Sequence, residues 1–258
     1  MSARTDPSSI LGIVNAEAAP AIPTSIDGLE FVMISSSGSA VSSESPTRFR
    51  YQQLGQMIWG GYIGDTVQLG RFVGRRDGDV VTICFAHKPV DGGEVVLGTA
   101  ESTLRRADDG KLYLDEVFEK DGEAHESACV EVEPLAEWPA LDPAHTSEPR
   151  MDGTAFVLQR STASTVNVDS PTRFEFSENS GIIWGDYFGD TVTGGRCVGR
   201  YSGGVLQEYF VHHVVASDAT LLGDSTTTIK QTDDGRLELI EDFVLDGVPG
   251  FSVCVQVD

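Results

Sequence analysis

The sequence predicts an all-β protein built as two tandem, up-and-down antiparallel β-barrels. The first reason is an internal repeat. SPTRF at Ser45–Phe49 returns at Ser170–Phe174, and IWGGYIGDTV at Ile58–Val67 returns as IWGDYFGDTV at Ile183–Val192, a constant shift of 125 residues. GRFVGR (Gly70–Arg75) meets GRCVGR (Gly195–Arg200), and DDGKLYLDEVF (Asp108–Phe118) meets DDGRLELIEDF (Asp233–Phe243). Gly28–Glu133 lies over Gly153–Asp258 without a gap, and roughly 45 of about 106 positions are identical, so the halves are copies of one unit. The second reason is local pattern: short runs rich in Val, Ile, Thr, Phe and Tyr, broken by Gly and Asp, with no sustained helical period. The third is arithmetic. Eight such runs joined by hairpin turns leave unpaired edges unless the sheet closes. An eight-stranded closure has room for side chains or one small ligand. A two-sheet sandwich is the alternative that the same pattern allows.

Taken in order, residues 1–27 read as a flexible arm rich in Ala, Pro and Ser, with no apolar run of the length a secretory signal needs. The first repeat, residues 28–133, contains candidate strands at Gly28–Ser35, Thr47–Gln53, Met57–Gly64, Val67–Arg76, Asp79–Lys88, Val95–Arg106, Lys111–Glu119 and Ala124–Val132. Asp77-Gly78, Asp91-Gly92, Asp109-Gly110 and Asp121-Gly122 separate several of them, a pairing suited to type I′ hairpins. Residues 134–152 carry Pro134, Pro139, Pro143 and Pro149 and read as an extended linker. The second repeat fills residues 153–258.

Composition excludes several classes of function. With 18 Lys and Arg against 40 Asp and Glu, the net charge of −22 repels phosphate backbones and anionic lipid, so neither nucleic acid nor membrane is an expected partner. No stretch approaches a membrane-spanning length. Cys84, Cys129, Cys197 and Cys254 show no CxxC or Cys–His ligand spacing, and buried thiols in a reducing cytoplasm fit better than disulfides. No metal is expected, because His212-His213 point to opposite faces of a strand; one inward His leaves haem ligation as a minor alternative. No nucleotide loop, hydrolase elbow or zinc-protease motif occurs, so no cofactor is expected.

Strand alternation places candidate site residues. Leu112, Leu114, Glu116 and Phe118 share a face and all return, as Leu237, Leu239, Glu241 and Phe243, whereas the opposite face drifts. A retained, mostly apolar face is the interior one. The same logic sends Phe85 and His87 (Phe210 and His212) inward, and with them Val67, Arg71, Val73 and Arg75 (Val192, Arg196, Val198 and Arg200). Each interior then holds an Arg, a His and a Glu, with Tyr62 or Tyr187 joining, and Glu116 is expected to pair with Arg71 or His87. Such a cluster is either a structural network or the polar part of a ligand site. As a site, its acid–base groups are His87, Glu116, Arg71 and Tyr62, with His212, Glu241, Arg196 and Tyr187 as counterparts; the apolar walls are Trp59, Phe85 and Phe118, with Trp184, Phe210 and Phe243. Trp59 and Trp184 also read as core or barrel-end plugs. Asp65 and Asp190, in Gly-Asp-Thr-Val, read as turn residues. The copies differ where Ile83 faces Glu208 and Cys84 faces Tyr209.

GDTVQLGRFVGRRDGDVVTICFAH, followed by LGTAES and DGKLYLDEVFE, resembles a family of small single-domain bacterial proteins that often carry the label N-acetylglutamate synthase. The matching positions are Gly70, Gly74, Phe85, His87, Gly98, Ser102, Gly110, Lys111, Leu114 and Glu116. The second copy keeps Gly195, Gly199, Phe210, His212, Gly223, Gly235, Leu239 and Glu241, with Thr227 for the Ser and Arg236 for the Lys. In architecture the tandem form is similar to lipocalin-like (calycin) barrels recruited as natural-product cyclases. That likeness implies a cofactor-independent cyclase or isomerase of secondary metabolism, acting on a polyketide-type substrate in antibiotic biosynthesis, including [4+2] (Diels–Alder) cyclisation. The alternative is a non-catalytic carrier or self-resistance protein that binds a small apolar molecule. The sequence leaves the oligomeric state open.

Overall fold

A computed structural model of the chain describes residues 21–120, 123–189, 191–245 and 248–257. Asp121-Gly122, Asp190 and residues 1–20 lie outside them. The strands are β1 (Glu30–Ser36), β2 (Arg48–Leu54), β3 (Met57–Ile63), β4 (Val67–Asp77), β5 (Val80–Pro89), β6 (Val96–Arg106), β7 (Leu112–Lys120) and β8 (Glu123–Val132). They repeat as β9 (Ala155–Ser161), β10 (Arg173–Asn179), β11 (Ile182–Phe188), β12 (Val192–Ser202), β13 (Val205–Val214), β14 (Ala219–Gln231), β15 (Leu237–Leu245) and β16 (Val248–Val257). Consecutive strands pair antiparallel, β8 closes on β1 and β16 on β9, giving two closed eight-stranded barrels. Closure satisfies the edge groups that a sandwich would expose.

The motif glycines have a steric cause. A Cβ at Gly70 would sit 2.3 Å from the Tyr62 ring, and one at Gly195 would sit 2.2 Å from the Tyr187 ring. Gly98 and Gly223 likewise lie beneath Phe85 and Phe210. The repeated glycines are therefore the spaces into which inward aromatic rings lie flat on the neighbouring strand.

Position 26 and its equivalent 151 stop the same end of each barrel: Ile26 and Met151 are both fully buried. Residues 21–27, expected to belong to a free arm, thus include a plug, and the Pro23 carbonyl accepts from Arg76. The Pro-rich segment is also pinned. Trp138 lies under the Arg50 guanidinium at 4.7 Å, and Glu178 accepts from the Thr146 and Ser147 amides.

The barrels pack side by side through the outer faces of β3–β6 and β11–β14. The contact is reciprocal. Arg71 lies over Trp184 and Arg196 over Trp59, each at 4.7 Å, while Arg75 donates to the Thr220 carbonyl and Arg200 to that of Val95. Met57, Val73, Cys84, Ile182, Val198 and Val211 supply its buried apolar part. These outer faces are accordingly apolar, which blurs the in–out contrast along these strands.

A candidate ligand chamber in the second barrel

In both barrels β7 or β15 presents the expected row to the interior, with Leu112 and Leu114, or Leu237 and Leu239, buried in the core. Phe85 and His87 point inward and stack at 5.7 Å; Phe210 and His212 do the same at 5.5 Å. The Tyr62 hydroxyl lies 3.0 Å from His87 Nδ1, and that of Tyr187 lies 2.9 Å from His212 Nδ1. Glu116 accepts a 2.6 Å bond from Ser127, and Glu241 an equal one from Ser252.

The arginines and tryptophans are not part of these interiors. Val67 and Val192 face inward, but the register shifts between Val67 and Leu69, and between Val192 and Gly194. Each bulge reverses the parity of the strand that follows. Arg71, Val73 and Arg75, like Arg196, Val198 and Arg200, therefore face the other barrel. Phe72 and Cys197 point inward instead. Glu116 consequently has no Arg71 beside it. Trp59 and Trp184 line a cleft of about 950 Å³ between the barrels, not a barrel wall. Asp65 fills the turn role, accepting from Ser42, Thr47 and Thr66.

The two interiors differ in what fills them. In the first, Tyr51, Phe72 and Ile83 are buried together, with Tyr51 and Phe72 rings 4.8 Å apart. At the positions of Phe72 and Ile83 the second barrel has Cys197 and Glu208. There a cavity of about 370 Å³ opens between the β9–β10, β11–β12 and β13–β14 loops. That volume lies within the range of small-molecule sites. Its apolar walls include Leu158, Phe174, Phe176, Leu239 and Phe243; its polar side holds Glu208, Thr227, Glu241 and Ser252, with Tyr187 and His212 alongside.

The polar side runs across neighbouring strands. Register aligns Glu208 with Ser225, Thr227 with Glu241, and Glu241 with Ser252. Thr227 donates to Glu208 Oε1 at 3.0 Å. Burial, reinforced by the Glu241 charge, pushes the Glu208 carboxyl up to about 8, against smaller opposing effects of Thr227, Cys197 and Ser225. Burial pushes His212 down to about 4, with His213 adding to the effect, so the imidazole is neutral at pH 7. Burial also raises the Tyr187 hydroxyl and the Cys197 thiol well above their ordinary values. All four cysteines are buried and free. No group of three or more metal-ligating side chains occurs among the described residues.

Glu208 and Cys197 are the site residues missing from the sequence-based candidates. The signal for Glu208 was present, because residues 83, 85 and 87 share a strand face and the inward assignment of Phe85 and His87 carries position 83 (Glu208 in the second copy) with it. Cys197 was hidden by the bulge.

A family model described as "Avidin-like protein" matches residues 24–132 and again residues 149–257. The chain belongs to this avidin-like family. Two copies of the avidin-like unit account for its two barrels, and none of the comparisons supports an N-acetylglutamate synthase assignment. No curated protein matches. Among solved structures, Aeromonas veronii immune modulator A is similar at 12% identity and a TM-score of 0.32, over 92% of this chain and 95% of that one. Among the described residues no helix is long and apolar enough to cross a membrane.

Proposed function

We propose that the second barrel of this avidin-like chain binds one small, largely apolar organic molecule, while the first serves as a filled scaffold. The observation that carries this reading is the paired replacement of Phe72 and Ile83 by Cys197 and Glu208 at the position of the cavity. A bulky ring and a branched aliphatic fill a core; a thiol and a carboxyl leave space and add polarity. A net charge of −22 offers phosphate backbones no attraction, which keeps the ligand small and not a nucleic acid. A cytoplasmic location and the absence of a cofactor belong to the same reading.

The test uses N-phenyl-1-naphthylamine, a neutral apolar fluorophore. Wild type is expected to enhance its emission with saturable binding. Cys197→Phe combined with Glu208→Ile, which gives the second barrel the first one's filling, is expected to abolish the enhancement. Equal enhancement by a folded double variant overturns the reading.

A second reading, a cofactor-independent cyclase or isomerase of secondary metabolism, has one observation in its favour. The same chamber holds Glu208, which keeps its proton near pH 7, and the neutral His212. An acid and a base in one apolar space are the components of a proton shift beside a carbonyl. Confinement of a flexible polyketide-type chain in a reactive shape, as in a [4+2] closure, can lower a barrier by up to ~7–11 kcal/mol. Conversion of such a substrate to a product of unchanged mass, lost in Glu208→Gln, distinguishes this reading from binding alone.

A further inference from the structure

The chamber carries more polarity than an apolar ligand needs. Glu208 and Glu241 both line it, yet no Lys or Arg does. Both are only partly exposed. Two carboxyls in one enclosed space repel when both are charged, and each pays for lost hydration. A third polar group adjoins Glu208 on the next strand without lining the cavity. Ser225, on the same inward face by register with Glu208 and Phe243, is only 5% exposed. Its hydroxyl is near enough to favour the charged form of Glu208, but it has no partner in hydrogen-bonding geometry.

Comparison with the first barrel isolates this group. There the positions of Glu208 and Ser225 are Ile83 and Ala100, both buried and apolar. The extra carboxyl and the unpartnered hydroxyl thus occur in the barrel with the cavity and are missing from the one filled by Phe72.

We propose that the chamber takes an amine, its ammonium head held by Glu208 and Glu241, with Ser225 supporting Glu208 from the neighbouring strand, and its apolar body lying against Phe174, Phe176, Leu239 and Phe243. The inference rests on reading the second barrel as a ligand chamber and adds the chemical class. An ammonium presents three donors and no acceptor. Ser252 bonds Glu241 Oε2 and Thr227 bonds Glu208 Oε1, and the proton that Glu208 holds passes to the entering neutral amine, so that its O–H bond breaks as the N–H bond forms and an ammonium is left against two carboxylates. The head also supplies the positive charge that the chamber's own residues lack, and the acidic surface raises the local concentration of cations.

Three probes with one skeleton test this: 4-phenylbutylamine, 4-phenyl-1-butanol and 4-phenylbutyrate, titrated into the full chain at pH 7.5 by calorimetry and ligand-observed NMR. The amine is expected to bind at least tenfold more tightly than the alcohol, and the carboxylate most weakly. Glu208→Gln, nearly isosteric, is expected to weaken the amine tenfold or more and leave the alcohol within twofold. Ser225→Ala, which restores the first barrel's residue, is expected to weaken the amine severalfold. An alcohol that binds as well as the amine, or an amine indifferent to Glu208→Gln, overturns the amine while leaving the chamber reading intact. If no probe binds wild type better than the filled Cys197→Phe/Glu208→Ile variant, both fall.

Discussion

In the first barrel the rings of Tyr51 and Phe72 lie 4.8 Å apart in a core that includes Ile83; in the second, Phe176, Cys197 and Glu208 line a cavity. The surrounding frame is the same in both. Each keeps the Tyr–His contact, the Ser–Glu bond on its last hairpin and the plug at one end. The comparison teaches that the Tyr62–His87 and Glu116–Ser127 pairs do not by themselves mark a ligand site, since they persist in the barrel that carries Phe72 and Ile83 where the other has Cys197 and Glu208. What differs between the barrels at the cavity is one large-to-small exchange, Phe72 to Cys197, and one apolar-to-acid exchange, Ile83 to Glu208.

The most severe way to break the comparison is to hollow the first barrel. Phe72→Cys is expected to destabilise the chain by about 3 kcal/mol or more, near the cost of truncating a buried Phe, because the surrounding rings cannot close the gap. Urea unfolding measures it; a loss below about 1 kcal/mol means that Phe72 is not the filling that separates the barrels.

The next effect comes from the carboxyl that only the second barrel has. Glu208 is protonated in both folded and unfolded states at low pH, so its contribution is fully present below the ordinary Glu value of about 4.3. Above that, the unfolded chain ionises while the folded one holds its proton up to about 8, and stability is lost across that window. Glu241, Cys197, Tyr187 and His212 share the interior with it. Of these, His212 is already neutral above its value of about 4, and Cys197 and Tyr187 keep their protons. Unfolding free energies at pH 5 and pH 8 are expected to fall in wild type by about 2–4 kcal/mol more than in Glu208→Gln. Parallel pH profiles of the two proteins count against a buried, proton-holding Glu208.

The smallest effect sharpens what the barrels share. Arg71→Lys and Arg196→Lys each remove a flat guanidinium from a Trp face and are expected to cost about 0.5–2 kcal/mol. The second is expected to cost slightly more, because Arg196 also meets Asp186 at 2.9 Å. Strongly unequal losses in thermal or urea unfolding refute a reciprocal interface.

Much of this was legible in the sequence, and the failures have local causes. The 125-residue shift, the Asp-Gly turns and the Leu112–Phe118 alternation lead directly to closed barrels and to an inward Glu116 and His87. Alternation fails on β4 and β12 because a bulge adds one residue without a sequence mark, and every later side chain changes face. The outer faces of those strands are apolar, so hydrophobicity does not correct the error. Trp59 and Trp184 mislead similarly, being large rings half-buried at the cleft between the barrels. Retention between copies selects the shared frame, whereas the cavity is lined at positions 197 and 208, where the copies disagree.

The reciprocal Arg–Trp contact also bears on how such asymmetry can exist. It has the form of an isologous dimer interface, each face contacting the equivalent of itself. In a true homodimer, any residue altered in one subunit is altered in both, so a scaffold cannot stay filled while its partner empties. Joining the two by the 134–152 segment makes their association intramolecular, at an effective concentration in the millimolar range typical of short connections. It also gives each barrel its own coding sequence, so one half can specialise while the other keeps the interface it docks against.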